Sequence, residues 1–505
     1  MCGIAGIYSP NISHNKLINI AENMASAIYK RGPDDEGVWI DVNANIALSH
    51  RRLSIIDLSD NGRQPMKSHC GKFTMVFNGE IYNHNELRRQ LNNLGDKPSW
   101  KGNSDSEVLL CGIAKWGLKL ALKKSTGMFA LALWDREAKK LYLARDRFGE
   151  KPIYYGHIGK DFVFGSELKA LQAHPSFNSG IDRKALSSFL QYSYVPSPKS
   201  IYKDILKLPP ANILCVDLPN GNKTLSSYWS LQDYSYNEVS QRVDEKILLS
   251  ELHKKLNNTV AEQMIADVPV GAFLSGGIDS SLIVALMQKN STRTIDTFSI
   301  GFSEKEYDES FYARQVSKLL GTNHTEMIVT PKELLNVVPK LKKMYDEPFA
   351  DSSQVPTYLV SKLARNKVTV SLTGDGGDEV FGGYNRYRWA NDVWSKMEYL
   401  PFWFRRFLST IISIPSEQRW KKIYSLLEFV IPLKYRMRLP GEKIRKISVS
   451  LSALNIEELY TCLTSLWIEA ENIVIGVNEN KANDFYVKGR SIAEKMMFLD
   501  LGIYL

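Results

Sequence analysis

The 505-residue chain is 44% hydrophobic, 24% charged and 11% aromatic, globular proportions that exclude a disordered, collagen-like or coiled-coil protein. Its net charge of +9 is local, because fourteen Lys/Arg face five Asp/Glu between Arg386 and Lys446, an excess equal to that of the whole chain. A uniformly basic protein is thereby excluded, and with no uninterrupted apolar run of about 18 residues a membrane-spanning helix is not expected.

Along residues 1–175, β-rich or alternating runs predict strands at Gly3–Tyr8, Phe73–Tyr82, Phe129–Trp134, Lys140–Ala144, Ile153–His157 and Phe162–Phe164. Helical periodicity appears at Leu17–Tyr29 and Ser106–Lys115. Strands and helices without strict βαβ alternation argue for an α+β domain with antiparallel sheets. Residues 195–245 carry Pro196, Pro198, Pro209, Pro210 and Pro219 and then a polar stretch, which predicts a connector, bounded at 211–248 between a domain at 1–210 and another at 249–505. In the latter, apolar strands at Gly271–Leu274, Asp296–Phe302 and Val368–Leu372 alternate with helices, as in a parallel α/β sheet. Beyond about residue 385 the pattern is almost wholly helical. Five scattered cysteines without C-x-x-C spacing, dispersed histidines and no basic leader predict a cytoplasmic protein with neither disulfide frame nor zinc site.

Cys2 directly follows the initiator methionine. Removal of Met1 would put a thiol and an α-amine on one residue. An amine titrating near 7.7–8.0 is partly free base at neutral pH and can take the thiol proton, directly or through water. The plainer reading is a small buried residue opening the first strand. Asn78-Gly79 forms a turn with a free amide and an exposed N–H, two donors suited to a developing oxyanion. Arg52 and Asp105 suit the carboxylate and ammonium of an amino-acid substrate. Taken singly, each is equally a hairpin turn or a surface ion pair.

At Val270–Ile283 an apolar strand enters Ser275-Gly276-Gly277-Ile278-Asp279-Ser280-Ser281 and leaves into an apolar helix. Glycines let backbone N–H groups approach an anion, the helix N-terminus adds partial positive charge, and the hydroxyls at 275, 280 and 281 add donors. The spacing is not that of a P-loop. Two acidic runs follow, Tyr345-Asp346-Glu347-Pro348-Phe349-Ala350-Asp351 and Thr373-Gly374-Asp375-Gly376-Gly377-Asp378-Glu379. In the second run three carboxylates among three glycines repel unless a metal or cationic group sits between them, although an acidic surface loop is the bland alternative.

The motifs M-C-G-I-A-G, R-G-P-D, R-L-S-I-I-D, N-G-E-I-Y-N and R-D-R-F-G-E-K-P-I-Y-Y resemble, in order, the glutaminase domain of class II glutamine amidotransferases. S-G-G-I-D-S resembles an ATP-pyrophosphatase loop, and the whole succession resembles the glutamine-hydrolysing asparagine synthetase family. The resemblance implies an N-terminal-nucleophile domain of stacked antiparallel sheets between helices, then an α/β ATP-pyrophosphatase domain with a helical C-terminal part. It implies Cys2 as nucleophile, Asn78 and Gly79 as oxyanion donors, and Arg52, Asn78, Glu80 and Asp105 as glutamine-binding. It further implies ATP at Leu274, Ser275, Gly276, Gly277, Asp279, Ser280, Ile300 and Gly374, Mg²⁺ at Asp279 and Asp378, and the acceptor at Asp375 and Glu379. The expected reaction is amidation of aspartate through an acyl-adenylate, with glutamine, ATP and the acceptor as small-molecule partners. A homodimer is left open and no nucleic acid is expected. T-G-D-G-G-D-E departs from the family's S-G-E-G-S-D-E at Asp375, which keeps a sugar uronic acid open as acceptor. Family members continue past Leu505 into a segment with a catalytic lysine, so a truncated chain is expected, and with it a glutaminase or binding remnant stays open. The basic, Trp-rich stretch 386–446 reads either as an anion-binding surface or as amphipathic helices with solvated basic faces.

Overall fold

The computed structural model describes residues 1–95, 98–218, 220–234, 244–304, 308–427, 440–467, 470–477 and 491–503. They form two compact units, one of Met1–Ala185 with Val195–Asp375, the other of Leu186–Tyr194 with the chain from Gly376 onward.

The strand Gly127–Asp135 explains the layering of the first unit. Phe129, Leu131 and Leu133 enter one apolar cluster, while Ala130, Ala132 and Trp134 enter another. A strand sends successive side chains to opposite faces, so a strand buried on both sides reads as one apolar run. One face packs against the helices His84–Asn92 and Asp105–Trp116 through Leu87, Leu91, Val108 and Ile113. The other meets Ile4, Ile46, Leu48, Phe162 and Phe164 of a second sheet. That sheet runs, in spatial order, Ile205–Lys207, Tyr154–Ile158, Asp161–Gly165, Gly3–Tyr8, Ile46–Arg52 and Asp35–Asp41, all antiparallel. Its partner runs Asn222–Ser227, Asn212–Asp217, Lys140–Arg145, Gly127–Asp135, Phe73–Ile81 and Met66–Lys67, likewise antiparallel. The helix His14–Ala27 buries Leu17, Ile20 and Met24 against the first of these sheets. Two stacked antiparallel sheets thus lie between helices.

The connector expected from 211 begins later. Asn212–Asp217 is an inner strand whose Ile213 faces one cluster and whose Leu214 and Val216 face the other. Asn222–Ser227 is exposed at every position, an edge strand whose polar sequence carries no alternation. Residues 235–243 of that connector lie outside the described residues.

Further along the same unit, Asn323–Val329, Asp296–Phe302, Val270–Phe273 and Val370–Leu372 pair in that spatial order, every pair parallel. Numbered along the chain this order is third, second, first, fourth. It therefore reverses between Val270–Phe273 and Val370–Leu372, and in open α/β sheets ligands bind at the carboxyl ends of strands beside such a reversal.

The second unit is helical among its described residues and closes on Tyr387, Ala390, Trp394, Leu459, Tyr460, Met496 and Leu499. Asp500, 1% exposed, accepts from Tyr460 Oη at 2.7 Å, from Arg386 Nη2 at 2.7 Å and from Tyr387 Oη. Buried Arg405 donates to the Ala453 carbonyl at 2.9 Å. Two members of the basic stretch are therefore internal ties, and Trp394 is core whereas Trp403 is exposed. Lys434, Arg436 and Arg438 lie outside the described residues. Among the described residues no helix is long and apolar enough to cross a membrane.

Candidate active site

Strand Phe73–Ile81 builds one wall of a pocket. The N–H groups of Phe77, Gly79 and Ile81 point to one edge by the two-residue period. Phe77 N donates to Gln64 Oε1 at 2.6 Å and Ile81 N to Asp105 Oδ2 at 2.8 Å. Gly79 N–H lies between them. Its register partner Phe129 turns both backbone groups to Asp146, N to Oδ2 at 3.0 Å and O to N at 2.8 Å. That leaves Gly79 N–H outside the ladder with this strand and directed to the pocket edge. A Cβ at Gly79 would stand 2.1 Å from the Met128 carbonyl, so only glycine lets the strands approach this closely.

Asn78, Gly79, Glu80, Cys2, Arg52 and Asp105 all line this one pocket. Cys2 precedes the strand Gly3–Tyr8, its Sγ accepting from Leu53 N at 3.4 Å and donating to Leu53 O at 3.6 Å. Its carbonyl accepts from Arg31 Nε at 2.9 Å. Burial, ahead of every other influence, raises the Cys2 thiol above its ordinary value. Burial likewise lowers the α-amine at the chain start, that of Met1, to about 6. Arg52, 7% exposed, donates to the carbonyls of Ser59, at 3.0 Å, and Asp57, both uncharged acceptors. Asp105 opens the helix Asp105–Trp116, whose first turn is capped by Ser104 Oγ accepting from Glu107 N at 3.2 Å. Its carboxylate accepts from the N–H groups of Ile81 and Ser106, yet burial still holds its pKa above the ordinary value. Asn78 is wholly buried, and neither atom of its side-chain amide has a hydrogen-bond partner among the described residues.

Glu80 is raised to about 7, first by burial and then by the charge of Asp105. An acid whose pKa folding raises stabilises the folded chain fully below its unfolded value near 4.5 and loses that contribution as pH rises through about 7. The ionised carboxylate then costs on the order of 3 kcal/mol. Glu80→Gln is accordingly expected to raise the melting temperature at pH 8 and leave it nearly unchanged at pH 5, as thermal unfolding at both pH values would show. Equal shifts at the two would contradict the assignment.

The second cluster sits where the parallel sheet reverses. Leu274 is buried, its N–H donating to Phe298 O at 2.9 Å. Ser275 Oγ meets Ser280 Oγ at 2.9 Å and accepts from Gly277 N at 3.2 Å, folding the loop onto the start of the helix Ile278–Asn290. That helix begins at Gly277 without a side-chain cap, Asp279 lies in its first turn, and Ser281 Oγ is buried without a partner among the described residues. Gly374 abuts the same turn, since a Cβ there would stand 2.9 Å from Ser280 N and 3.1 Å from Asp279 Cβ. Leu274, Ser275, Gly276, Gly277, Asp279, Ser280 and Gly374 therefore converge. Ile300 lies two residues past the Phe273–Phe298 pair on the neighbouring strand, packed against Val329, Val337 and Leu359. Asp375 is exposed, its Oδ2 accepting from Thr373 Oγ1 at 2.8 Å. In the other unit, Glu379 is 3% exposed and accepts from Tyr384 Oη at 2.7 Å, and Asp378 accepts at its own carbonyl from Gly383 N at 3.0 Å.

Lys151 also lines the first pocket, 6% exposed, its Nζ 3.0 Å from Met1 Sδ. Sequence reasoning quoted the motif that contains it and gave it no role. The available signal was a lysine set between Glu150 and Pro152, three residues ahead of the strand Tyr154–Ile158.

Residues 1–229 match the glutamine amidotransferase domain family and residues 251–484 the asparagine synthase family. The chain is 39% identical over 411 residues to a putative glutamine-hydrolysing asparagine synthetase 2 of Methanocaldococcus jannaschii, spanning 77% of each chain. It is 36% identical over 390 residues to the glutamine-hydrolysing asparagine synthetase 1 of Bacillus subtilis, spanning 77% of this chain and 60% of that one. To asparagine synthetase 3 of Bacillus subtilis it is 30% identical over 448 residues, 85% of this chain and 70% of that one.

Proposed function

Because this chain belongs to the glutamine-hydrolysing asparagine synthetase family, we propose that it takes ammonia from glutamine at the Cys2 pocket and uses it to amidate a carboxylate, aspartate, at the Ser275 loop. The observation that carries the reading is Asn78. An amide buried with both ends unpartnered costs about 1–3 kcal/mol, and it stands beside a nucleophile where a carbonyl oxygen gains charge.

With Met1 removed, the Cys2 α-amine takes the thiol proton as sulfur attacks the side-chain amide of glutamine. An α-amine ordinarily titrates near 7.7–8.0 and so is partly free base at neutral pH. The Asn78 amide and Gly79 N–H donate to the oxyanion, and the amine returns its proton to departing ammonia. Water then opens the thioester and glutamate leaves. Arg52, whose guanidinium donates to backbone carbonyls among the described residues, receives the substrate carboxylate. Asp105 and Glu80 face its ammonium, and the cation relieves the repulsion between them.

At the second site, ATP supplies the leaving group: the acceptor carboxylate attacks its α-phosphate with release of pyrophosphate, and ammonia displaces AMP. The uncapped helix N-terminus and the unpartnered Ser281 hydroxyl suit a phosphate chain. Asp279 and Asp378 are the carboxylates we assign to Mg²⁺, a hard cation that takes oxygen ligands. Among the described residues no three His, Cys, Asp or Glu side chains converge on a metal position, so phosphate oxygens and water would complete its shell. Asp375 and Glu379 are assigned to the acceptor.

Asn78→Ala tests the reading. Glutamine hydrolysis is expected to lose about 10²–10³-fold in kcat, while thermal stability is held or raised, because the amide has no bond to lose and its burial cost is relieved. Coupled glutamate and thermal-unfolding assays read both. Unchanged kcat would remove the oxyanion role.

A further inference from the structure

The first two carboxylates of the acidic run Tyr345–Asp351 are held by cations of the antiparallel-sheet stretch. Asp346 Oδ2 accepts from Lys169 N at 2.7 Å and Oδ1 pairs with Lys169 Nζ at 3.1 Å. Glu347 Oε1 accepts from Ile201 N at 2.7 Å, while Oε2 meets Lys207 Nζ at 2.6 Å and Tyr154 Oη at 3.2 Å. Every one of these partners belongs to the stretch that carries the two antiparallel sheets. The side chains of Asp346 and Glu347 are each 11% exposed, so these ion pairs escape most solvent screening.

From Lys169 the chain of charges continues inward. Lys169 Nζ also pairs with Glu167 Oε2 at 2.8 Å, and Glu167 Oε1 with Arg31 Nη1 at 2.8 Å. Arg31 Nε donates to the Cys2 carbonyl at 2.9 Å, and its Nη2 is buried with no hydrogen bond among the described residues. Glu167 is thus the group that aims this guanidinium, and the guanidinium anchors the Cys2 backbone. Among the described residues the Sγ itself has only the long hydrogen bonds to Leu53.

We propose that Lys169 and Asp346 are positioning residues for the nucleophile, acting on Cys2 through Glu167 and Arg31. The inference rests on the reading of Cys2 given above. A nucleophile about 1 Å out of place loses on the order of 10²-fold, and the loop 345–353 follows the helix Pro331–Met344, which belongs to the nucleotide-binding half. Placement of Cys2 thereby answers to a loop of the other half.

The test uses the full chain, with Asp346→Asn, Lys169→Met, Lys169→Arg, Glu167→Gln and the double variant Asp346→Asn/Glu167→Gln. Glutamine hydrolysis is expected to fall about 10-fold in kcat for Asp346→Asn and Lys169→Met, with KM for glutamine within about 2-fold, and to recover in Lys169→Arg. The double variant is expected to lose no more than Glu167→Gln alone, since members of one chain are not additive. Should Lys169→Met fail to fold, Asp346→Asn, nearly isosteric, carries the comparison. An unaltered chain that hydrolyses glutamine while Asp346→Asn matches its kcat, or losses that simply multiply, would overturn the inference alone. An unaltered chain that leaves glutamine intact overturns the reading of Cys2 and this inference with it.

Discussion

Cys2→Ser is expected to lose glutamine hydrolysis by about 10³-fold or more, as removal of a nucleophile does, and to keep nearly the same affinity for glutamine. Burial already holds the Cys2 thiol above its ordinary value, so no thiolate waits in the free pocket. The proton must leave during attack, and the base available is an amine, which a thiol matches and a serine hydroxyl does not. The pocket's remaining groups, Arg52, Asn78 and Asp105, are untouched by the exchange, which is why binding should persist. Fed with ammonium chloride in place of glutamine, the variant should still release pyrophosphate at the rate of the unaltered chain, because the Ser275 loop belongs to a different sheet. Mass spectrometry supplies the companion measurement. Active protein should begin at Cys2, and an active preparation that keeps Met1 would remove the amine from the mechanism.

How much of this was legible beforehand depended on which physical signal each residue carried. Gly3–Tyr8 and Asp296–Phe302 are strands over the very residues their apolar runs predict, and the other predicted strands differ by a residue or two at an end. Asp35–Asp41, Asn222–Ser227 and Asn323–Val329 gave no such signal. The first is mostly half-buried and the second fully exposed, so hydrophobic alternation has nothing to report. The third opens with Asn-His-Thr-Glu, and His324 is held by Thr297 and Ser299 hydroxyls across the sheet at 3.0 and 3.1 Å, a polar packing that periodicity cannot see. The site followed the same rule. Cys2, Asn78 and Ser275 stand out because each residue type at its place has few other uses. Asp346 and Glu347 drew no role from the sequence, because acidity shows there and the cation it meets does not. Lys169 and Lys207, their partners, lie more than a hundred residues away.

Gly276→Ala is expected to stop aspartate-dependent pyrophosphate release, by about 10²-fold or more, and to leave glutamine hydrolysis within about 2-fold. Two costs coincide at this position. Its φ of +83° lies in the left-handed region, which charges a residue with a Cβ about 1–2 kcal/mol. The new methyl carbon would also stand 2.6 Å from Ala313 N and 2.6 Å from Tyr312 Cβ, and the first is backbone of the helix Ser310–Leu320, which cannot swing aside. The loop must move instead, and with it the N–H groups that lead into the helix Ile278–Asn290. Gly321 separates the two costs. It has φ of +68°, caps the same helix Ser310–Leu320, and a Cβ there would meet nothing within 4 Å. Gly321→Ala should therefore lose only the strain cost in thermal unfolding and keep pyrophosphate release within about 3-fold, because strain is transmitted to ligand groups only where atoms collide. Equal losses of pyrophosphate release in both variants would mean that general destabilisation explains them and that the Ser275 loop is not the nucleotide site. Release from the unaltered chain with a uronic acid but not with aspartate would leave the loop's role intact and move the acceptor.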